Sequence, residues 1–244
     1  KERIESLRKE MRNAGVAAYV IPSQDPHLSE YTPEHWQARS WFSGFSGSAG
    51  TLVVTMDESG LWTDGRYFIQ AERELSGSDI KLFRMGVSGV PGVGEYLCGK
   101  LKPGESAGFD ARMFPAARLR IMRGMFSGKG IGTVPCDLVT PLWKDRPPMP
   151  HTEVYVHGAR YAGYTCAEKI NQVRAMLAKH GADGQIYTRL DCTAWLMDIR
   201  ADDIAYTPLA VAWSAVLPDG AHLFIDTSRV KPEAMHCLKE NGVT

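Results

Sequence analysis

The residue types with the most obvious capacity for chemistry lie in the stretch 42–72, FSGFSGSAGTLVVTMDESGLWTDGRYFIQAE. A nucleophilic serine elbow, G-x-S-x-G, needs a glycine two residues before and two residues after the serine. Ser48 has Gly50 after it but Ser46 before it. Ser46 has Gly44 before it but Ser48 after it. Neither serine meets the pattern, which favours a glycine-rich bend that admits close backbone approach.

The tripeptide Asp64-Gly65-Arg66 is the second candidate in this stretch. The pattern predicts Asp64 near a helix N-cap and Arg66 in the first turn, where an arginine is not favoured by the helix dipole. One interpretation is a surface ion pair with Asp64 or a neighbouring acid, which contributes little to stability. The other is a binding role for the guanidinium group. The sequence alone leaves both interpretations open.

Metal-ligating residues show no workable arrangement. Asp191 and Asp202 are separated by ten residues, and the segment DCTAWLMDIR, which begins at Asp191, predicts a helix. Eleven helical residues rise about 16 Å, whereas the ions of a two-metal site lie about 3.5–4 Å apart. His27 and His35 are not part of a zinc motif. We therefore expect no metal ligand in this chain.

Two further glycine-rich segments resemble phosphate-binding loops only loosely. GVSGVPGVGEYL and SGKGIG both lack the Gly-Lys-Ser/Thr of the P-loop. Both are predicted to be surface loops. With no serine elbow, metal set or phosphate loop, we expect no catalytic residue in the chain.

Composition excludes several classes of protein. The 244 residues carry 28 basic and 28 acidic side chains, so bulk charge gives no argument for nucleic acid or an anionic membrane as partner. No apolar run reaches the roughly 18–20 residues of a membrane span. The five cysteines form no CxxC pair, which predicts neither a zinc knuckle nor a disulfide framework. These features predict a reduced, cytoplasmic protein.

An internal repeat organises the chain. RIESLRKEMRNAGVAAYVIPSQD and KINQVRAMLAKHGADGQIYTRLD each predict an amphipathic helix, a glycine cap and a short strand. Thr165 and Glu168 add a capping box to the second helix. In both copies a β-hairpin and another helix follow further along the chain. At a constant offset of 166 positions, Ile4, Leu7, Met11, Gly15 and Asp25 match Ile170, Val173, Leu177, Gly181 and Asp191.

The repeat and the proline cluster WKDRPPMP predict two α/β domains in tandem. Three prolines within 147–150 cannot belong to a helix or an inner strand. We place a first domain at 1–145, a linker at 146–154 and a second domain at 155–244. By analogy with the first copy, the second lacks strands after its last helix, so we expect it to be incomplete.

Six segments together resemble the long, cytoplasmic form of aminopeptidase P, the Xaa-Pro aminopeptidases. They follow the family's order and span nearly the whole chain. They are AYVIPSQDPHLSEY, WQARSWFSGFSGSAGTLVVT, LWTDGRYFIQAE, LWKDRPPMP, EKINQVRAML and WLMDIRADDIAYTPL. The resemblance implies two creatinase N-terminal-like α/β domains, followed in the family by a pita-bread catalytic domain that this chain does not include.

In that family the catalytic domain binds two divalent metal ions, usually manganese, through two aspartates, a histidine and two glutamates. The enzyme removes the N-terminal residue from peptides with proline at the second position. None of those ligands can be placed on this sequence, so the chain is expected to be a non-catalytic region that helps shape the substrate cleft. It is expected to lack activity alone. Arg66 matches an arginine that contacts peptide substrate in the family.

The resemblance also allows a homodimer, which these domains would support. It allows a second class of function as well. Metal-free relatives with the same architecture bind proteins instead of cleaving them. The alternative function is therefore a protein-binding module whose third domain has lost its metal ligands. The residues of this chain leave both functions open.

Overall fold

The computed structural model describes residues 1–244 and forms two compact units, 1–26 with 34–147 and 27–33 with 148–244. The helices are α1 (Glu2–Asn13), α2 (Ala38–Ser43), α3 (Phe68–Glu74), α4 (Val93–Lys100), α5 (Ala116–Ser127), α6 (Ala159–Ala162), α7 (Cys166–Lys179), α8 (Leu190–Met197) and α9 (Pro232–Glu240). The strands are β1 (Ala18–Pro22), β2 (Thr51–Thr55), β3 (Ser59–Thr63), β4 (Ile80–Arg84), β5 (Ser106–Phe109), β6 (Gly132–Pro135), β7 (Tyr155–Val156), β8 (Gln185–Tyr187), β9 (Ile199–Arg200), β10 (Trp213–Leu217) and β11 (Gly220–Phe224). None of the helices is long and apolar enough to cross a bilayer.

The first unit is built on a six-stranded mixed sheet in the order β4-β3-β2-β1-β5-β6. Strands β1, β2 and β3 pair antiparallel. Strands β4, β5 and β6 pair parallel with β3, β1 and β5 respectively. The parallel pairs β3–β4 and β5–β6 require crossover connections, which α3 and α5 supply.

Both faces of this sheet carry a hydrophobic core, because side chains alternate along each strand. In β1, Tyr19 and Ile21 face the core that also contains the apolar side of α1. Ala18 and Val20 face the opposite core, to which α4 and α5 contribute. The unit is therefore a three-layer α/β/α arrangement.

The second unit repeats the helix, strand and hairpin of the first. Its three-stranded sheet, β11-β10-β8, has the antiparallel pairings of β3-β2-β1. Ile4 on α1 and Ile170 on α7 are both buried. Gly15 and Gly181, which follow these helices, have φ values of +67° and +63°, a conformation that glycine adopts without steric cost. The predicted pair of related α/β domains is confirmed.

The last residues of the chain extend this correspondence. Val243 forms a parallel bridge to Ala221 of β11, as β4 runs parallel to β3 in the first unit. The Thr244 amide donates to the Ala221 carbonyl at 2.9 Å. The predicted capping box is also present, since the Glu168 amide donates to the Thr165 hydroxyl and the Thr165 amide donates to the Glu168 carboxylate.

One predicted helix is shorter than expected. The segment 191–200 was expected to be helical throughout, but α8 ends at Met197 and Asp198 adopts φ +53°. The fully buried Lys169 ammonium explains this end, because it pairs with the Asp198 carboxylate and donates to the Trp195 carbonyl at 2.8 Å. A cation near a helix C-terminus satisfies its unpaired carbonyls.

A second buried ion pair joins Arg229 to Asp203. The guanidinium group donates to both carboxylate oxygens, at 2.8 and 2.6 Å, and to the Val211 carbonyl at 2.8 Å. The carboxylate also accepts from the Val211 amide and the Thr152 hydroxyl. Both oxygens of the buried Asp203 carboxylate therefore accept hydrogen bonds, and these bonds offset the cost of removing both charges from water.

Replacing Arg229 by methionine should destabilise the second unit by about 3–5 kcal/mol, because the Asp203 charge stays buried without its partner. Native-state hydrogen exchange of peptides from β10 and β11 measures the effect. The matched control is Lys231→Met, which removes an ion pair with Glu153 whose side chains are 44% and 76% exposed. That change should cost less than about 1 kcal/mol. Equal losses of protection in the two variants would contradict the prediction.

Candidate functional site

The glycine-rich bend at 44–50 and the turn at 64–67 are brought together by the β2–β3 hairpin. The bend immediately precedes β2 and the turn immediately follows β3. Since Thr51 pairs with Trp62 across the antiparallel ladder, both segments emerge at the same end of the hairpin.

A buried arginine holds the bend. Arg39, on α2, is 4% exposed, and its two terminal nitrogens donate to the carbonyls of Phe45 and Gly47. Its Nε donates to the Ser23 hydroxyl at 2.7 Å. Burial lowers the pKa of Arg39 to about 10, so the side chain stays charged at neutral pH. The bend therefore encloses a fixed positive charge.

The two serines of the bend tie it to α3 and the turn. The amide and hydroxyl of Ser46 donate to the Glu74 carboxylate at 2.8 and 2.7 Å, and Gln70 donates to the same hydroxyl at 2.9 Å. The Ser48 hydroxyl lies 2.7 Å from the Tyr67 hydroxyl. Desolvation raises the pKa of Glu74, but the hydrogen bonds from Ser46 and Gln70 outweigh it and leave the pKa below its ordinary value.

Gly47 lies between these contacts and has no room for a side chain. An added Cβ would approach the Phe45 ring to 2.3 Å and the Tyr67 ring to 2.8 Å. Neither Ser46 nor Ser48 bonds a histidine, so neither has the base that activates a nucleophilic serine. Their hydroxyls instead fix the bend against α3 and Tyr67.

Arg66 lies in the turn and not in the first turn of the helix, where it was expected, because α3 begins at Phe68. The Asp64 side chain closes the turn by accepting from the Arg66 amide at 3.1 Å, and the Tyr67 amide donates to the Asp64 carbonyl at 3.0 Å. Such aspartate-closed turns compete with helix formation. The helix consequently starts later than the residue pattern predicts.

The Arg66 guanidinium group makes a two-pronged ion pair with Asp64. Its Nε and Nη2 donate to the two carboxylate oxygens, each at 2.9 Å. The Arg66 side chain is 65% exposed, and its guanidinium carbon lies 5.2 Å from the centre of the Tyr67 ring. Hydrogen bonds from the Arg66 side chain lower the pKa of Asp64. A charged fork is thus held in a defined orientation at the surface of the first unit.

The same local arrangement occurs in the tripeptide Asp110-Ala111-Arg112, which sequence reasoning had not singled out. The Arg112 amide and Nε donate to one Asp110 oxygen at 3.0 Å each, and Nη2 donates to the other at 2.6 Å. Arg112 also pairs with Asp137 at 2.7 Å. The shared Asp-x-Arg pattern could have revealed this pair. The ion-pair geometry therefore does not by itself mark Arg66 as a substrate residue.

The remaining candidates have separate partners. Asp191 accepts two hydrogen bonds from Arg189, at 3.1 and 3.0 Å. Nδ1 of His27 lies 2.8 Å from the Thr188 carbonyl. Nδ1 of His35 lies 2.7 Å from the Pro147 carbonyl.

The amide of the other aspartate considered as a metal ligand, Asp202, donates to the Thr152 hydroxyl. Across the 244 residues, no group of three or more His, Cys, Asp or Glu side chains could hold a metal ion. The residues of this chain therefore do not fit a dinuclear metal centre.

The Arg66→Ala variant should raise the pKa of Asp64 toward the ordinary value of about 3.9, because the hydrogen bonds that lower it are lost. Carbon-13 NMR titration of the carboxyl groups measures this. A carboxylate whose pKa is lower in the folded than in the unfolded state stabilises the fold at pH values above its ordinary pKa. That stabilisation is lost as the pH falls through the pKa of the folded state. For this exposed pair the contribution is below about 1 kcal/mol.

Asp191 serves as the internal control, since Arg189 lowers its pKa in the same way. Its titration should be unchanged in Arg66→Ala. An Asp64 pKa equal in wild type and variant would show that Arg66 does not hold this carboxylate in solution.

Two family models cover the chain. Residues 3–140 match one described as the creatinase/prolidase N-terminal domain, and residues 145–244 match a second with the same description. Aminopeptidase P2 of Arabidopsis thaliana is 38% identical over 248 residues, covering 99% of this chain and 35% of the relative. The Xaa-Pro aminopeptidase ApepP of Drosophila melanogaster is 35% identical, covering 95% and 38%.

Among solved structures, the X-prolyl aminopeptidase of Caenorhabditis elegans is similar, with a TM-score of 0.94 and 31% identity. The similarity covers 100% of this chain and 41% of that protein, which is described as a cytosolic enzyme with a di-nuclear active site. The chain thus spans well under half the length of these relatives. The expected relationship to Xaa-Pro aminopeptidases is confirmed, and because one model alone matches more than half of the 244 residues, the chain belongs to the creatinase/prolidase N-terminal domain family.

Proposed function

We propose that this chain is the N-terminal, non-catalytic region of a metal-dependent aminopeptidase that removes the N-terminal residue from peptides with proline at the second position. The observation that carries the proposal is 38% identity to an aminopeptidase P over 99% of the chain. The lack of a metal-ligand cluster among these residues is consistent with a catalytic centre formed elsewhere in the same protein.

The proposed function also implies a metal cofactor, a cellular compartment and an oligomeric state. Two divalent ions, with manganese as the expected metal, are assigned to residues outside this chain; the nematode relative is described as di-nuclear. The protein is proposed to act in the cytosol, as that relative does. A homodimer is proposed as its assembly, with peptides and not nucleic acid or membranes as its partners.

Within this region, Arg66 is proposed to bind the peptide substrate. Arginine presents a planar fork that holds a carbonyl or carboxylate in a fixed position. Asp64 orients that fork before substrate arrives, at 2.9 Å from both donating nitrogens. Since the pair is exposed, moving the guanidinium from Asp64 to a substrate oxygen costs little desolvation.

The proposed function is tested by expressing the gene product that contains this chain and measuring hydrolysis of Xaa-Pro-Xaa and Xaa-Ala-Xaa tripeptides with and without manganese. We expect metal-dependent release of the first residue from the proline peptide only. The 244-residue chain alone should release none. A longer protein that is inactive with every divalent metal would favour the protein-binding alternative, and activity of the 244-residue chain would contradict the non-catalytic assignment.

In the active longer protein, Arg66→Ala should lower kcat/KM on an Xaa-Pro peptide by roughly ten- to a hundredfold, as expected for the loss of one charged hydrogen bond. Tm should change little. Arg112→Ala is the matched control, because it removes an arginine with the same aspartate-bonded geometry. Equal kcat/KM values for wild type and Arg66→Ala would remove Arg66 from the substrate site.

A further inference from the structure

A cavity of about 300 Å³ opens in the first unit, on the sheet face that carries α4 and α5. Thr51 and Trp62 of the sheet line it, together with residues of the loop before α4, the first residues of α4 and one side of α5. Its volume is at the lower end of the range for small-molecule sites. The bend at 44–50 ends next to Thr51, but its Phe45 side chain lies in the core of the opposite sheet face. Nothing in the proposed peptidase function requires this cavity.

Arg118 on α5 is the one charged residue in the lining, and no acidic residue lines the cavity. Its guanidinium carbon lies 5.6 Å from the centre of the Phe114 ring, a weak attraction for a cation. Arg118 makes no hydrogen bond or ion pair within the protein, and burial lowers its pKa. A partly desolvated cation without an anion is costly unless a ligand compensates it.

The mouth of the cavity is apolar. Met85, Ile121 and Met125 line it and are 51%, 68% and 39% exposed. Large apolar side chains grouped at the opening of a concave site mark a binding surface more often than isolated ones do. Gly94 is closely covered by Met125, whose Sδ would lie 2.9 Å from an added Cβ. Methionine side chains adapt readily to the shape of an apolar ligand.

We propose that this cavity binds a small amphipathic carboxylic acid, with its carboxylate on the Arg118 fork and its apolar body against the exposed side chains of Met85, Ile121 and Met125. A single cation matches a single negative charge, which favours a monocarboxylate over a phosphate dianion. The planar guanidinium group suits a carboxylate geometrically. Thr51 is the one hydroxyl-bearing residue of the lining.

Octanoate, with octanamide as its neutral counterpart, tests the assignment in calorimetric titrations of the 244-residue chain. We expect saturable binding of octanoate, weakened roughly ten- to a hundredfold in Arg118→Met, the factor for one charge-assisted hydrogen bond. Octanamide should bind both proteins with equal affinity. Arg120→Met is the matched control, because Arg120 lies exposed on the same helix. It should bind octanoate as wild type does.

Ile121→Glu provides a second variant whose folding is not at risk, since the side chain is 68% exposed. It should weaken octanoate binding through repulsion, and Ile121→Lys should not. Absence of saturable octanoate binding to the wild type, or equal affinity in wild type and Arg118→Met, would overturn the proposal. Binding of acetyl-glycyl-leucine through its C-terminal carboxylate, without octanoate binding, would overturn the assignment to a small acid and identify a peptide end as the ligand.

Discussion

The candidate site depends on the buried charge of Arg39. Its guanidinium group supplies donors to the Phe45 and Gly47 carbonyls, which lie in a bend that has no ladder to pair them. Buried carbonyls must find a partner, so the cation determines the conformation of the bend. The bend then positions Ser48 against Tyr67, the residue that follows Arg66. The exposed arginine is thereby oriented through a series of contacts that begins in the core.

The two units use the same helix, strand and hairpin but stabilise them differently. The first adds β5, β6, α4 and α5, and so covers both faces of its sheet with apolar side chains. The second has a three-stranded sheet and two buried ion pairs, Lys169 with Asp198 and Arg229 with Asp203. Buried ion pairs of this kind add little net stability. Their main effect here is to determine where α8 ends and which conformation the chain adopts next to β7. Of these added elements, α4 and α5 also line the cavity.

Periodic apolar residues predicted α1, α7 and both hairpins, because burial of one face repeats at 3.6 or 2 residues. What the pattern could not predict depends on polar side-chain contacts, which the spacing of apolar residues does not encode. The end of α8 is determined by Lys169, 29 residues away from Asp198, and the late start of α3 by the Asp64 side chain. From the sequence, Arg39 is expected to be a surface residue of a short helix. Its burial depends on the bend at 44–50, which covers it in the folded unit. The apolar pattern also did not predict that the segment 27–33 groups with the second unit. There the centre of the His27 ring lies 4.3 Å from the centre of the Trp213 ring.

The central claim is that the turn after β3 presents Arg66 to a peptide substrate. A crystal structure of the longer gene product with a bound non-hydrolysable Xaa-Pro peptide analogue tests it most directly, through the distance from the Arg66 guanidinium nitrogens to the ligand oxygens. We predict a hydrogen bond in the ordinary range of about 2.7–3.2 Å, with at least one of the two Asp64 contacts released or shared. An Arg66 side chain still bonded to Asp64 at both oxygens, with no ligand oxygen within hydrogen-bonding distance, would contradict the claim.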